Sequence, residues 1–166
     1  MAGGARRRRD DMLGLAAITG VTALTATGSR ASSDYDSTWF KALRKPRWEP
    51  SGGVIGAVWA VIYVCTALAA TLLWRKRDEH DIRGLAALFA VQYLLNYLFT
   101  PLLTLRRSLS LSTTDSAVLH LVVTAIAVLA WPVRRAAAIL MIPYSAWTLF
   151  ATILSWRVWQ LNQDQG

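Results

Sequence analysis

The 166-residue chain has one cysteine, two histidines and only 17% charged residues. Cys65 has no second cysteine to pair with, so a disulfide framework is excluded and a structural zinc site lacks its ligand set. Acidic residues number ten, and none lies in the long apolar blocks described below, so paired intramembrane carboxylates are not expected. No phosphate-cradling glycine loop and no HExxH-type spacing occurs, and nothing in the spacing of Ser, His and Asp singles out a catalytic triad. Polarity is also too scarce for a disordered chain, because 54% of the residues are hydrophobic.

The apolar residues are gathered into uncharged runs. Crossing a bilayer as a helix takes about 20 such residues. Four blocks reach or approach this length: Gly53–Trp74, Ile82–Leu105, Ala117–Val133 and Ala136–Trp159. A fifth, Met12–Gly28, is shorter and rich in Ala, Gly and Thr, and it follows the arginine run Arg6–Arg9. Arg6–Arg9, the apolar stretch and Ser29-Arg30-Ala31 also fit a secretory signal peptide, so a retained span and a leader both stand at this point. As a span, its small residues Ala16, Gly20 and Ala23 would allow close approach to neighbouring helices. One long connection, residues 29–52, separates the first two spans, and the later connections are short. Short loops make consecutive helices antiparallel neighbours. The expected fold is all-α: a polytopic membrane protein forming one five-transmembrane-helix bundle over residues 1–166, integral to the lipid bilayer.

The net charge of +8 fits this picture. The basic residues cluster at helix ends, where they meet phospholipid headgroups, and no nucleic-acid partner is needed to explain them. Ten lie on the N-terminal side of the spans and eight on the other, a slight excess toward a cytoplasmic N terminus.

Polar and aromatic residues inside spans call for a reason. Trp59 and Tyr63 share one face of the second span, and Gln92 and Asn96 one face of the third, each pair being i and i+4. In the fifth span Pro143, which predicts a kink, precedes Tyr144 and Trp147, and Ala151 lies one turn beyond. Core packing explains Trp59 as well as a ligand wall does, and interhelical bonding suits Gln92. For Asn96 a ligand-facing role is favoured. Together the three faces suit a flat, largely apolar ligand held by aromatic walls and a few polar groups. His120 is read as a bond to a neighbouring helix, and haem ligation or proton relay as the sharper alternatives. Trp74, Trp131, Trp156 and Trp159 fit an interfacial belt.

The loop segment Trp39–Pro50 carries two prolines and two tryptophans and leads directly into the second span, so it can cover one mouth of the bundle. Here the sequence resembles the translocator protein/tryptophan-rich sensory protein (TspO/MBR) family. The matching features are Trp39, Lys45-Pro46-x-Trp48-x-Pro50, Trp59-x-x-x-Tyr63, Gln92-x-x-x-Asn96 with Thr100-Pro101, Pro143-Tyr144-x-x-Trp147-x-x-x-Ala151-Thr152, and Leu161-Asn162. The resemblance favours a retained first helix. It implies a five-helix bundle, often a homodimer, whose pocket opens toward the first loop and binds porphyrins such as protoporphyrin IX and haem. Mitochondrial relatives also bind cholesterol and benzodiazepine-type drugs. By motif, Trp59, Tyr63, Asn96, Tyr144, Trp147 and Ala151 would line the pocket, while Trp39, Lys45, Pro46, Trp48 and Pro50 would form its cover. Ser51, Gly53, Phe99 and Ser155 depart from the family pattern, which usually has a tryptophan where Gly53 stands.

The expected function is tetrapyrrole binding, as sensor, carrier or scavenger, with no cofactor or metal required. Two other readings remain: an interaction protein that regulates partners, and a light-dependent porphyrin-degrading enzyme. No general acid, base or metal in the sequence demands catalysis.

Overall fold

In lipid, every backbone N–H and C=O must find its partner within the chain, and an uncharged apolar run does this as a helix. The computed structural model describes residues 2–31 and 34–163. Residues 32 and 33 of the long loop, and the two extremes of the 1–166 domain, thus lie outside the described residues. The helices are α1 (Ala2–Ala31), α2 (Thr38–Ala42), α3 (Gly52–Trp74), α4 (Arg83–Thr104), α5 (Leu109–Ala130) and α6 (Arg135–Leu161). All but α2 are long and apolar enough to cross a membrane, α1 through its segment Asp11–Gly28. A 22-residue helix such as α4 rises about 33 Å, enough for the hydrocarbon layer. Serines start three of the helices by accepting a backbone N–H: Ser37 from Phe40, Ser51 from Val54 and Ser108 from Leu111.

The spanning helices form a closed ring in the order α1, α3, α6, α5, α4. The short-loop expectation holds for α4 with α5 and for α5 with α6. It does not hold for α3 and α4, which have α1 between them. The connection from Arg75 to Ile82 passes over α1 and is tied to it: the Arg77 guanidinium donates to Asp11 at 2.8 Å and covers the Trp74 ring at 4.7 Å. α1 thus packs within the ring against α3 and α4.

Two expectations need correction. The small residues Ala16, Gly20 and Ala23 face outward, and a side chain at Gly20 would meet nothing. The buried stripe of α1 runs instead through Thr22 and Thr25, and the close approaches are at Gly14 and Gly28. A Cβ on Gly14 would collide with the Trp74 indole, and one on Gly28 would lie 3.0 Å from Tyr97. Glycine at position 14 lets the Trp74 indole occupy the space where a side chain would start, so a larger residue there must displace that ring.

The second correction concerns α5, which begins at Leu109 and not at Ala117. The stretch from Ser108 to Asp115 looks too polar for lipid. Its hydroxyls, however, bond back to the preceding turn: Ser112 to Leu109 O at 3.1 Å, Thr113 to Leu109 O at 2.7 Å and Thr114 to Ser110 O at 3.0 Å. Each hydroxyl satisfied this way costs the helix little. The earlier start places Asp115 inside a spanning helix, 7% exposed, with Oδ2 lacking any hydrogen-bond partner.

Two outcomes follow for stability. Gly14→Val is expected to destabilise the solubilised protein by about 1–3 kcal/mol through overpacking against Trp74, whereas Gly20→Val should leave its thermal transition unchanged. Asp115→Leu is expected to raise the transition temperature, since an unpaired buried polar group costs on the order of 1–3 kcal/mol. A lowered transition would mean that Asp115 is hydrogen-bonded or paired in the folded protein.

Candidate ligand site

Along α3, Trp59 and Tyr63 are one turn apart and point into the ring, as do Gln92 and Asn96 along α4 and Tyr144 along α6. The polar tips meet in one chain of hydrogen bonds. Tyr63 donates its phenolic O–H to Asn96 Oδ1 at 2.9 Å. Asn96 Nδ2 donates to Tyr144 Oη at 3.0 Å, and the Tyr144 O–H donates in turn to Gln92 Oε1 at 2.9 Å. Gln92, Asn96 and Tyr144 are all buried, and the chain joins three helices. In a low-dielectric interior such bonds are directional and costly to break.

Around this chain the rings pack on one another. The Trp59 ring lies 5.6 Å from Tyr63 and 5.8 Å from Tyr144, the latter edge-on at 76°. Trp147, one turn beyond Tyr144, stacks at 5.2 Å on Phe150. Ala151 is half-buried on the same side of α6, one further turn on. The aromatic rings thus pack on one another within the bundle. Two open clefts, of about 710 and 530 Å³, lie instead at the far end, lined by residues such as Arg77 and His80 or Trp131 and Arg134. Neither includes a residue of the aromatic site, and charged turns bound both.

Buried donors remain unused at the site. Among the described residues Gln92 Nε2 and Trp147 Nε1 are buried without a hydrogen-bond partner. Such orphans are rare in folded proteins and ask for an explanation, a ligand acceptor among them. Gln92 agrees with the interhelical reading through its oxygen, which accepts from Tyr144, while its nitrogen has no partner.

The loop packs against α6 through Arg44 on Asn162 and Trp48 on Phe150. Trp39 sits in α2 with the Arg107 guanidinium 5.9 Å from its ring. Lys45 pairs with Glu49 at 3.4 Å and lies over the Phe40 ring at 4.1 Å. A turn at Pro46, whose carbonyl accepts from Glu49 N at 3.0 Å, carries the chain to Trp48. That indole stands edge-on to Phe150 at 5.7 Å. Half-buried Pro50 leads into the Ser51 cap. Position 53, where a tryptophan is usual in the family resembled, faces open space, so the cover forms without it.

The sequence-derived residues divide accordingly. Trp59, Tyr63, Asn96 and Tyr144 meet directly, Trp147 and Ala151 continue the α6 wall, and Trp48 reaches the site through Phe150. Phe150 was not anticipated, although its position one turn past Trp147 could have marked it. His120 turns toward α6: its Nδ1 lies 3.1 Å from the Ser145 carbonyl and 3.3 Å from Thr148 Oγ1. The first contact requires the Nδ1–H tautomer and agrees with the helix-bonding reading.

A family model described as the TspO/MBR family matches residues 14–160. The chain is 31% identical over 127 residues to the tryptophan-rich protein TspO of Bacillus cereus, covering 76% of this chain and 82% of that protein. It is 27% identical over 150 residues to the translocator protein of Bos taurus, covering 87% and 89%. To the tryptophan-rich protein TspO of Archaeoglobus fulgidus it is 26% identical over 148 residues, covering 89% and 95%. A match that runs from α1 almost to the end of α6 takes in the whole ring and its cover, and the chain belongs to the TspO/MBR family of multi-pass membrane proteins.

Proposed function

We propose that this membrane protein binds a tetrapyrrole, with protoporphyrin IX or haem as the ligand type, between the aromatic walls of α3 and α6. The observation that carries the reading is the pair of buried, unpaired donors beside stacked rings. Trp59, Tyr144 and Trp147 offer apolar faces to a planar macrocycle, and ring–ring contacts contribute about 0.5–1.5 kcal/mol each beyond burial. Gln92 Nε2 and Trp147 Nε1 offer N–H groups to its carboxylates, which form the stronger, charge-assisted type of hydrogen bond. Basic residues of the cover, such as Lys45, lie near the entrance. The central residues supply neither thiolate nor uncommitted imidazole, so ring stacking and carboxylate contacts carry recognition in this reading, and a metal-free porphyrin is a suitable probe.

Because the rings pack on each other, a macrocycle can enter only if they part. Binding should therefore be slower than diffusion and should displace aromatic contacts. Titration of the purified protein with protoporphyrin IX is expected to quench tryptophan fluorescence saturably. In the double variant Asn96→Ala, Trp147→Ala the affinity should fall at least about tenfold, the scale of one lost stacking contact together with one lost hydrogen bond. An unchanged affinity in that variant would remove the site from the reading.

A further inference from the structure

The long loop could rest on the bundle through apolar contact alone, yet one of its residues is held by hydrogen bonds. The Arg44 backbone N–H donates to Asn162 Oδ1 at 2.9 Å, and Asn162 Nδ2 donates back to the Arg44 carbonyl at 2.9 Å. The same Nδ2 donates to Val158 O at 2.7 Å, within the last turn of α6. One primary amide thus bonds both backbone groups of a residue 118 positions away and also fastens itself to its own helix. Asn162 is 4% exposed, and Leu43, next to the latched residue, is 6% exposed. Only an amide of this length fits the pattern. Aspartate lacks the two donors, and glutamine adds a methylene to a buried fit.

The loop's other fastenings are weaker. Trp48 touches Phe150 edge-on and is half exposed. Trp39 has the Arg107 guanidinium near its ring at the turn between α4 and α5. Arg107 has φ 53°, the one positive φ at a non-glycine position among the described residues, so that contact stands on a strained turn. Hydrogen bonds to the main chain in a buried setting are directional, whereas an exposed ring edge can slide.

We propose that Asn162 is the latch of the loop: by gripping the main chain of Arg44 it keeps Trp48 on Phe150, and so sets how fast a ligand enters and leaves the aromatic site. Phe150 stands between the cover and Trp147 (5.7 Å to one ring, 5.2 Å to the other), so cover and wall are released together. The statement about ligand exchange rests on the tetrapyrrole reading above, while the latch itself does not.

Trypsin separates the two. The loop offers Lys41, Arg44 and Arg47 as cleavage sites, and Arg157 in α6 reports on fraying of the helix itself. With the full chain in lipid nanodiscs, Asn162→Ala and Asn162→Asp are expected to speed loop cleavage about tenfold, the scale of one to two lost hydrogen bonds. Cleavage at Arg157 should stay at the wild-type rate. Association and dissociation of protoporphyrin IX should both accelerate by a similar factor, with a smaller change in affinity. Phe150→Leu should reproduce the faster exchange while Asn162 is intact. Loop cleavage unchanged in both Asn162 variants overturns the latch, as does faster cleavage that appears equally at Arg157. Faster loop cleavage with unaltered porphyrin rates leaves the latch standing and overturns its control of exchange. A wild-type protein that binds no porphyrin defeats the functional reading alone, and the cleavage rates then decide the latch.

Discussion

The arrangement of this bundle depends on polar side chains finding one another where there is no water. Between helices in lipid the hydrophobic effect offers no net attraction, since a neighbouring leucine and a lipid tail are equally apolar. Position is set instead by hydrogen bonds and close backbone approach. The Tyr63–Asn96–Tyr144–Gln92 chain fixes the rotation of α3, α4 and α6 about their axes. Thr22 and Tyr93, 2.7 Å apart, tie α1 to α4. α5 is joined to α6 by a ladder in which Ser116 meets Thr152 at 3.0 Å, His120 meets Ser145 O, and Thr124 meets Ser145 Oγ at 2.8 Å. Each spanning helix has at least one such tie, and the apolar packing fills in around them.

The same reasoning explains what could be read from the sequence. Hydropathy located five spans because lipid tolerates few charges, and the i, i+4 spacing placed Trp59 with Tyr63 and Gln92 with Asn96 on shared faces. The three faces together already suited one site, and the family resemblance pointed to the same residues and added the loop tryptophans. The start of α5 was hidden because hydropathy scores a hydroxyl by its composition, whereas Ser112, Thr113 and Thr114 spend theirs on the preceding turn. Gly14 could not be told from Gly20 without knowing which stripe of α1 faces inward. The position of α1 between α3 and α4 is a property of the whole ring, and loop length alone gives no sign of it. Phe150 could have been marked by its place one turn past Trp147, and Asn162 by the Leu161-Asn162 motif. Their partners Trp48 and Arg44, however, lie more than a hundred residues away, which no local pattern shows.

α6 has two tasks. Its inner face carries Tyr144 and Trp147, while Phe150 one turn on and Asn162 at its C-terminus receive the loop. A small rotation of this helix would therefore disturb the site and its cover at once. Pro143 lies inside α6 just before these residues, so one main-chain hydrogen bond is missing where the helix enters the site. The weakest stretch of its backbone thus adjoins its most committed side chains.

The position of α1 bears on how the protein assembles. α3 and α4 follow one another in the chain, yet they cannot fold as a simple hairpin, because another helix fills the space between them. α1 precedes both in the chain and packs as a wedge between them. The circle closes only through the contact of α6 with α3, and the phenol of Tyr144 comes from that same helix. One helix thus completes both the wall and the wiring.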